Sequence, residues 1–177
     1  MASRNYPTII ELLKADHREV DKLFEEFEQA EGNTKKQMQL ASRIGQALTI
    51  HAEIEENLFY PTVLPLLDEE GADLTWEAAV EHGTLRGLIA GMNGGDPSQP
   101  IIKAHMTVLK EYVQHHVREE EKELFPRVQQ LDLDLHALGA EMLELKEGLA
   151  AAAAEPDTNS RTIRITDVSV RDVAAWH

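Results

Sequence analysis

The chain has 177 residues, 28% of them charged and 42% apolar, with a formal net charge of −15 and no cysteine. That length supports one domain with a good core, and the composition is that of a globular chain, neither disordered nor membrane-embedded. The acidic balance argues against nucleic acid and anionic membranes, while the missing thiols exclude disulfides, iron–sulfur clusters, thiolate zinc and thiol nucleophiles.

A cysteine-free chain fits a cytoplasmic protein. The opening residues, Met1 to Pro7, lack the apolar stretch of a signal peptide. The first predicted element follows. From Ile9, apolar residues and one histidine recur at Ile10, Leu13, His17, Val20, Phe24 and Phe27, at helical spacings. Gly32-Asn33-Thr34 ends this helix and caps the next. The second helix is expected from about Lys35 to the Pro61–Pro65 region, with Leu40, Ile44, Leu48, His51, Glu55 and Leu58 along its stripe. Its prolines should kink or end it.

Asp68 to Asp73 reads as a turn, and Thr75 as the opening of a third helix carrying Ala78, Ala79, His82, Leu85 and Ile89. Gly91 to Pro100 is the strongest breaker in the chain and predicts a loop. A fourth helix runs from about Ile101 to Gln130, with Ile102, His105, Leu109, Val113, His116, Glu120 and Leu124 on one face. Leu135 to Ala154 predicts a shorter fifth helix, with Leu138, Met142, Leu145 and Leu149 on one side. Beyond Pro156, Thr162 to Arg171 alternates apolar and polar as a strand would. The expected fold is all-α: an antiparallel up-down four-helix bundle over residues 1–132, an accessory helix at 133–155, and an extended tail at 156–177. A lone strand needs a partner, so that tail is the feature most suggestive of self-association.

One pattern occurs twice. His51-Ala-Glu-Ile-Glu55-Glu-Asn-Leu-Phe-Tyr-Pro61 and His116-Val-Arg-Glu-Glu120-Glu-Lys-Glu-Leu-Phe-Pro126 both read H-x-x-x-E-E with a proline in the same register. His and Glu four apart on a helix point to one side and can grip one metal. A single such match means little among eight histidines and 32 acidic residues. Doubled, and on the buried stripe each time, it means more. His17, His51, His82 and His116 fall on the stripes of four different helices, so a bundle can bring them to one level. Glu55 and Glu120 on a core face need a cation, because burying an unpaired carboxylate is costly. Lys and Arg are nearly absent from these stripes, and a metal supplies the charge.

Mixed imidazole and carboxylate suits iron, manganese or zinc. Bridging carboxylates favour a dinuclear iron or manganese centre. The ferritin-type signature Glu-x-x-His does not occur in this sequence. His115 also has a glutamate four residues on, Glu119, but its neighbours Glu111 and Arg118 turn it outward. His105 lies roughly 16 Å along the helix from His116, too far to share a centre, and reads as a core or interface histidine. Asp21 is either a spare ligand or, more simply, solvent-facing. Tyr112, one turn before His116, is a candidate proton source or packing residue. Arg86 is a candidate partner for a site carboxylate. His136 and His177 have no supporting pattern.

Asp16-His17, His51-x3-Glu55-Glu56 with Pro61, Glu81-His82, and His116-x3-Glu120-Glu121 with Pro126 together resemble the hemerythrin-like, or HHE cation-binding, family over roughly residues 8–130. The resemblance implies a non-haem di-iron bundle. His17 and His51 would bind one iron, His82 and His116 the other. Glu55 and Glu120 would bridge them with an oxo or hydroxo group, leaving an open position for O2. Arg86 stands where the oxygen-carrying hemerythrins have a further histidine, and a cationic arginine cannot ligate. The site is then nearly symmetric, with more open positions, which favours reaction or small-ligand exchange over oxygen carriage. The histidine set also resembles di-iron proteins of nitric-oxide stress and iron-centre repair, whose cysteine-bearing N-terminal domain is missing here. The expected function is binding of, or reaction with, O2, H2O2 or NO, with peroxide disproportionation as an enzymatic form. The alternatives are an iron storage, delivery or sensor module without turnover, and a structural bundle with inert zinc.

Overall fold

Thr8 starts the first helix with a reciprocal cap. Its hydroxyl accepts from the Glu11 backbone N–H at 3.2 Å, and the Glu11 carboxylate accepts from the Thr8 N–H at 2.7 Å. The helix, α1, spans Ile9–Gln29 and ends before Gly32, whose φ of 84° is in the left-handed region that glycine enters without strain. The computed structural model describes residues 6–154 apart from residue 93. The expected extended tail, with Thr162 to Val170 and His177, lies outside the described residues.

Asn33 caps α2, which spans Thr34–Ile54, by accepting from the Lys36 N–H at 3.1 Å. The prolines do not end this rod. It continues through a π turn at Glu55–Phe59, one α turn at Tyr60–Val63 and a 3-10 turn at Leu64–Leu66. The second repeat behaves alike. Helix α4, Pro100–Glu119, runs into a π turn at Glu120–Leu124 and an α turn at Phe125–Val128. A proline inside a helix cannot donate its backbone bond and crowds the carbonyl four residues back. A wider turn just before Pro61 and Pro126 relieves that crowding.

Helix α3 spans Glu69–Met92, so the turn expected at Asp68 to Asp73 is already helix. Asp68 is its real cap, accepting from the Gly71 N–H at 3.0 Å. Glu69 and Glu70 then sit in the first turn, where carboxylates favour a helix N-terminus. Thr75 lies inside the helix and returns its hydroxyl to the Gly71 carbonyl at 2.8 Å. Helix α5 covers Leu135–Ala154.

Among the described residues the structure is five helices with no strand. Helices α1 to α4 make an up-down bundle with short connections, and α5 lies mainly along α1 and α2. No described helix is long and apolar enough to cross a membrane. The core is split. One apolar cluster holds Ile9, Leu13, Ile54, Phe59, Val63, Leu124, Phe125 and Met142. The other holds Val20, Phe24, Ile44, Leu48, Leu85, Met106, Leu109 and Val113. Between them lies a buried polar layer made of Asp16, His17, His51, Glu55, His82, His116 and Glu120.

Candidate metal centre

Each of the four bundle helices sends one histidine into the polar layer: His17 from α1, His51 from α2, His82 from α3 and His116 from α4. Within each half of the chain the two histidines are 34 residues apart. The halves are related almost exchangeably. His17 and His51 bring their Nε2 atoms to 3.2 Å, and His82 and His116 bring theirs to 3.3 Å. Both ring pairs have centroids 4.9 Å apart and planes at 65°.

The two glutamates span these pairs. Glu55 Oε2 lies 3.2 Å from His51 Nε2 and 3.3 Å from His82 Nε2. Glu120 Oε2 lies 3.4 Å from both His17 Nε2 and His116 Nε2. Each carboxylate therefore reaches one imidazole of each pair. The ligand-capable atoms of His17, His51, Glu55 and Glu120 lie within 4.8 Å of one another, and so do those of Glu55, His82 and His116.

Outside this inner group every imidazole has a carboxylate behind its Nδ1. Glu121 is 2.9 Å from His17, Glu56 is 3.0 Å from His82, and Glu81 is 2.8 Å from His116. Asp16 stands 3.6 Å behind His51, too long for a hydrogen bond. A carboxylate only accepts, so the three short contacts put the proton on Nδ1 and turn the Nε2 lone pair inward. Cations hold these carboxylates in turn. Arg18 forks onto Glu121 at 2.6 and 3.2 Å, Arg86 forks onto Glu56 at 2.9 and 2.6 Å, and Lys146 of α5 bonds Asp16.

The residues fit a cation. Lone pairs facing each other at this range repel unless a positive charge sits between them. The buried oxygens Glu55 Oε1 and Glu120 Oε2 have no hydrogen-bond partner, as does the buried His51 Nδ1. Without metal, protons do part of this work. Burial opposes charging His82, yet the carboxylates of Glu55 and Glu56 hold its pKa up to about 9. His17 and His116 are also raised against burial, His17 chiefly by the Glu120 carboxylate it contacts and His116 by the Glu120 charge. Glu120 is held well below the usual carboxylate range; burial works against this, and the imidazoles of His116 and His17 outweigh it. The Arg18 guanidinium, with His17, brings Glu121 down to about 2.

A cavity of about 10 Å³ adjoins the four histidines, floored by Val20, Leu48, Leu85, Val113 and Val117. Larger hollows, such as one of about 610 Å³ lined by Met38, Gly45 and Ile102, open elsewhere on the surface.

The expected inner residues His17, His51, Glu55, His82, His116 and Glu120 are thus brought together. Arg86 pairs with Glu56, the carboxylate behind His82. Tyr112 is half-buried and packs against the cluster around Leu109 and Val113. The phenol at the site is Tyr60, which donates to Glu120 Oε1 at 2.8 Å and lies 3.4 Å from Glu55 Oε2. Burial and the Glu120 and Glu55 charges push its pKa well above 10. Its counterpart in the second repeat is Phe125, which stacks on His17 as Tyr60 stacks on His82.

Tyr60 was hidden from spacing arguments because α periodicity turns a residue five beyond Glu55 away from the site. The π turn brings it back, and moves the buried stripe from Leu58, which is half-buried, to Phe59. The outer carboxylates did carry a signal: the second Glu of each H-x-x-x-E-E block and the acidic residue before His17 and His82. His115 faces solvent, Asp21 is exposed, His105 is half-buried against Gly91, and His136 bonds the Tyr6 carbonyl at 2.7 Å.

The chain is similar to known proteins. A "DNA nickase" from Nostoc sp. is 32% identical over 120 residues, covering 68% of this chain; the chain spans only 33% of that protein's length. The crystal structure of a hemerythrin HHE cation binding domain-containing protein from Mycobacterium kansasii superposes with a TM-score of 0.71 at 24% identity, over 83% of this chain and 90% of the other. At that identity the likeness bears on the fold. The hemerythrin HHE cation binding domain, as a family, matches residues 8–128. The chain belongs to the hemerythrin HHE cation-binding domain family.

Proposed function

We propose that the buried layer holds two iron ions and that the protein binds, or reacts with, O2, H2O2 or NO. His17 and His51 would grip one ion, His82 and His116 the other, and Glu55 and Glu120 would span both. The observation that carries this reading is the pair of facing Nε2 couples, 3.2 and 3.3 Å apart, crossed by two buried carboxylates. Four imidazoles to two carboxylates lean toward iron or zinc over manganese, and redox chemistry selects iron. A pair of iron ions supplies two electrons to a small oxidant.

The protein's own groups do the rest. The outer carboxylates fix the imidazole tautomers and orientations. Tyr60 keeps its proton at Oη beside Glu120, a donor poised next to the bridging position. The valines and leucines of the floor exclude water. A cavity of about 10 Å³ beside the histidines has room for about one water-sized molecule.

Peroxide disproportionation is the enzymatic form of this reading. Iron storage, delivery or sensing without turnover is the second reading, supported by the same ligand set. The nickase name stays with the Nostoc protein, and a net charge of −15 disfavours binding to DNA phosphates. The test is anaerobic loading with ferrous iron, then exposure to O2, NO and H2O2 under absorption spectroscopy with peroxide consumption followed in parallel. A change of spectrum with at least one of the three is expected. No change with any of them overturns the reactive reading, and iron that then leaves readily to a chelator supports storage.

A further inference from the structure

The four carboxylates behind the imidazoles are not equivalent. Three are held by a fixed cation: Glu121 by Arg18, Glu56 by Arg86 and Asp16 by Lys146. Among the described residues Glu81, the fourth, is in no ion pair with Lys or Arg. Its Oε2 takes the His116 Nδ1–H at 2.8 Å, and its Oε1 faces His115 Nε2 at 3.9 Å. His115 Nε2 lies 3.3 Å from Glu119 Oε1. One atom from each of Glu81, His115 and Glu119 falls within 4.8 Å of the others. Where the other three positions have a guanidinium or ammonium, this one has an imidazole and two carboxylates.

The two repeats explain why this occurs once. The residues matching His115 and Glu119 in the first repeat are Ile50 and Ile54, which pack into the apolar cluster shared with α5. Helix α5 covers that side and supplies Lys146. Among the described residues no further helix covers the α3–α4 side, and there the side chain of His115 is 52% exposed while that of Glu81 is 13% exposed. A hydrated ion can reach His115 and Glu119 from solvent. Glu81 is held in place by His116, so one ligand is positioned in advance.

We propose that Glu81, His115 and Glu119 form a surface site for a divalent metal ion, and that it loads the buried centre through the carboxylate that Glu81 shares with His116. One imidazole and two carboxylates suit Fe2+, Zn2+ or Mn2+. The 3.3 Å separation of His115 and Glu119 matches roughly the ligand spacing around a tetrahedral ion with bonds of about 2.0–2.1 Å. A small closure of Glu81 completes the set. The loading role rests on the proposed reading of the buried layer; the surface site does not.

The full chain, stripped of metal, is dialysed against Zn2+ and its metal content measured, as the parent and as His115→Ala and Glu119→Gln. Thermal melts of the metal-free variants are compared with the parent as a check on folding. The parent should hold one weakly bound ion more than either variant, with the tight ions unchanged. Rapid mixing with Fe2+ should show loading slowed several-fold in both variants. Equal zinc content in parent and variants overturns the site, and an unchanged loading rate overturns its loading role. A third variant, His51→Ala with His82→Ala, separates the two readings. If it keeps the tight ions, the buried centre is wrong and the surface site is judged on the first two variants alone.

Discussion

Tyr60→Phe tests how the buried carboxylates are satisfied. The substitution keeps the ring that stacks on His82 and removes only the hydroxyl that donates to Glu120 at 2.8 Å. Glu120 is 2% exposed, so no solvent replaces the lost donor. Hydrogen bonds to charged groups contribute about 1.5–3 kcal/mol. For a chain of this size, that corresponds to a fall in Tm of about 3–12 °C in the metal-free protein. With metal bound, the cation neutralises the carboxylate, and the loss should shrink to about 1 kcal/mol, the net value of an ordinary hydrogen bond. The assay is thermal unfolding by circular dichroism of parent and variant, each with chelator and each loaded. A larger loss in the loaded form than in the metal-free form would refute the reasoning, because it would mean that the carboxylate faces no cation.

Further outcomes follow from the same geometry. In metal-free protein the imidazolium of His82, raised from 6.5 to about 9, adds stability that is fully present below pH 6.5 and lost as pH rises through 9. Glu121, lowered from 4.5 to about 2, adds stability present above pH 4.5 and lost as pH falls through 2. Metal-free Tm should thus peak between these windows and decline toward pH 9; a flat profile from pH 6 to 9 contradicts this. Metal binding needs neutral Nε2, so it should release protons at pH 7 and tighten as pH rises, measurable by zinc titration in weakly buffered solution. Glu55→Leu should cut metal content to one ion or none and lower metal-free Tm at neutral pH, since it removes one partner of a buried pair and leaves His82 without the carboxylate that supports its charge. Gly139→Ala would place a Cβ 2.2 Å from the Pro7 carbonyl oxygen and 3.0 Å from the Ile9 nitrogen, backbone that cannot move aside. It should cost about 1–3 kcal/mol and free α5 to limited proteolysis.

The helices and the inner site were legible in the sequence because both depend on period. Buried residues recur at three and four, and the four histidines and two glutamates share that stripe. Three things escaped. The start of α3 lies earlier than its sequence suggests, because Gly71 and its acidic neighbours look like a turn, while Asp68 makes them a capped first turn. Tyr60 escaped because the π turns before Pro61 and Pro126 break the period on which the reading relied. Much of the outer shell escaped because it depends on pairings across helices: Arg18 with Glu121 and Lys146 with Asp16 join distant parts of the chain, and of these cations Arg86 alone, the partner of Glu56, stood out in the sequence. The Asp16-His17 and Glu81-His82 dipeptides and the second glutamate of each H-x-x-x-E-E block hinted at its carboxylates.

The most direct test of the central claim is metal content. Protein loaded anaerobically with ferrous iron and freed of excess should contain two irons per chain by mass spectrometry of the metal. His17→Ala, His51→Ala, His82→Ala and His116→Ala should each lower that figure. An iron content near zero in the parent, or one unchanged in all four variants, would contradict the account.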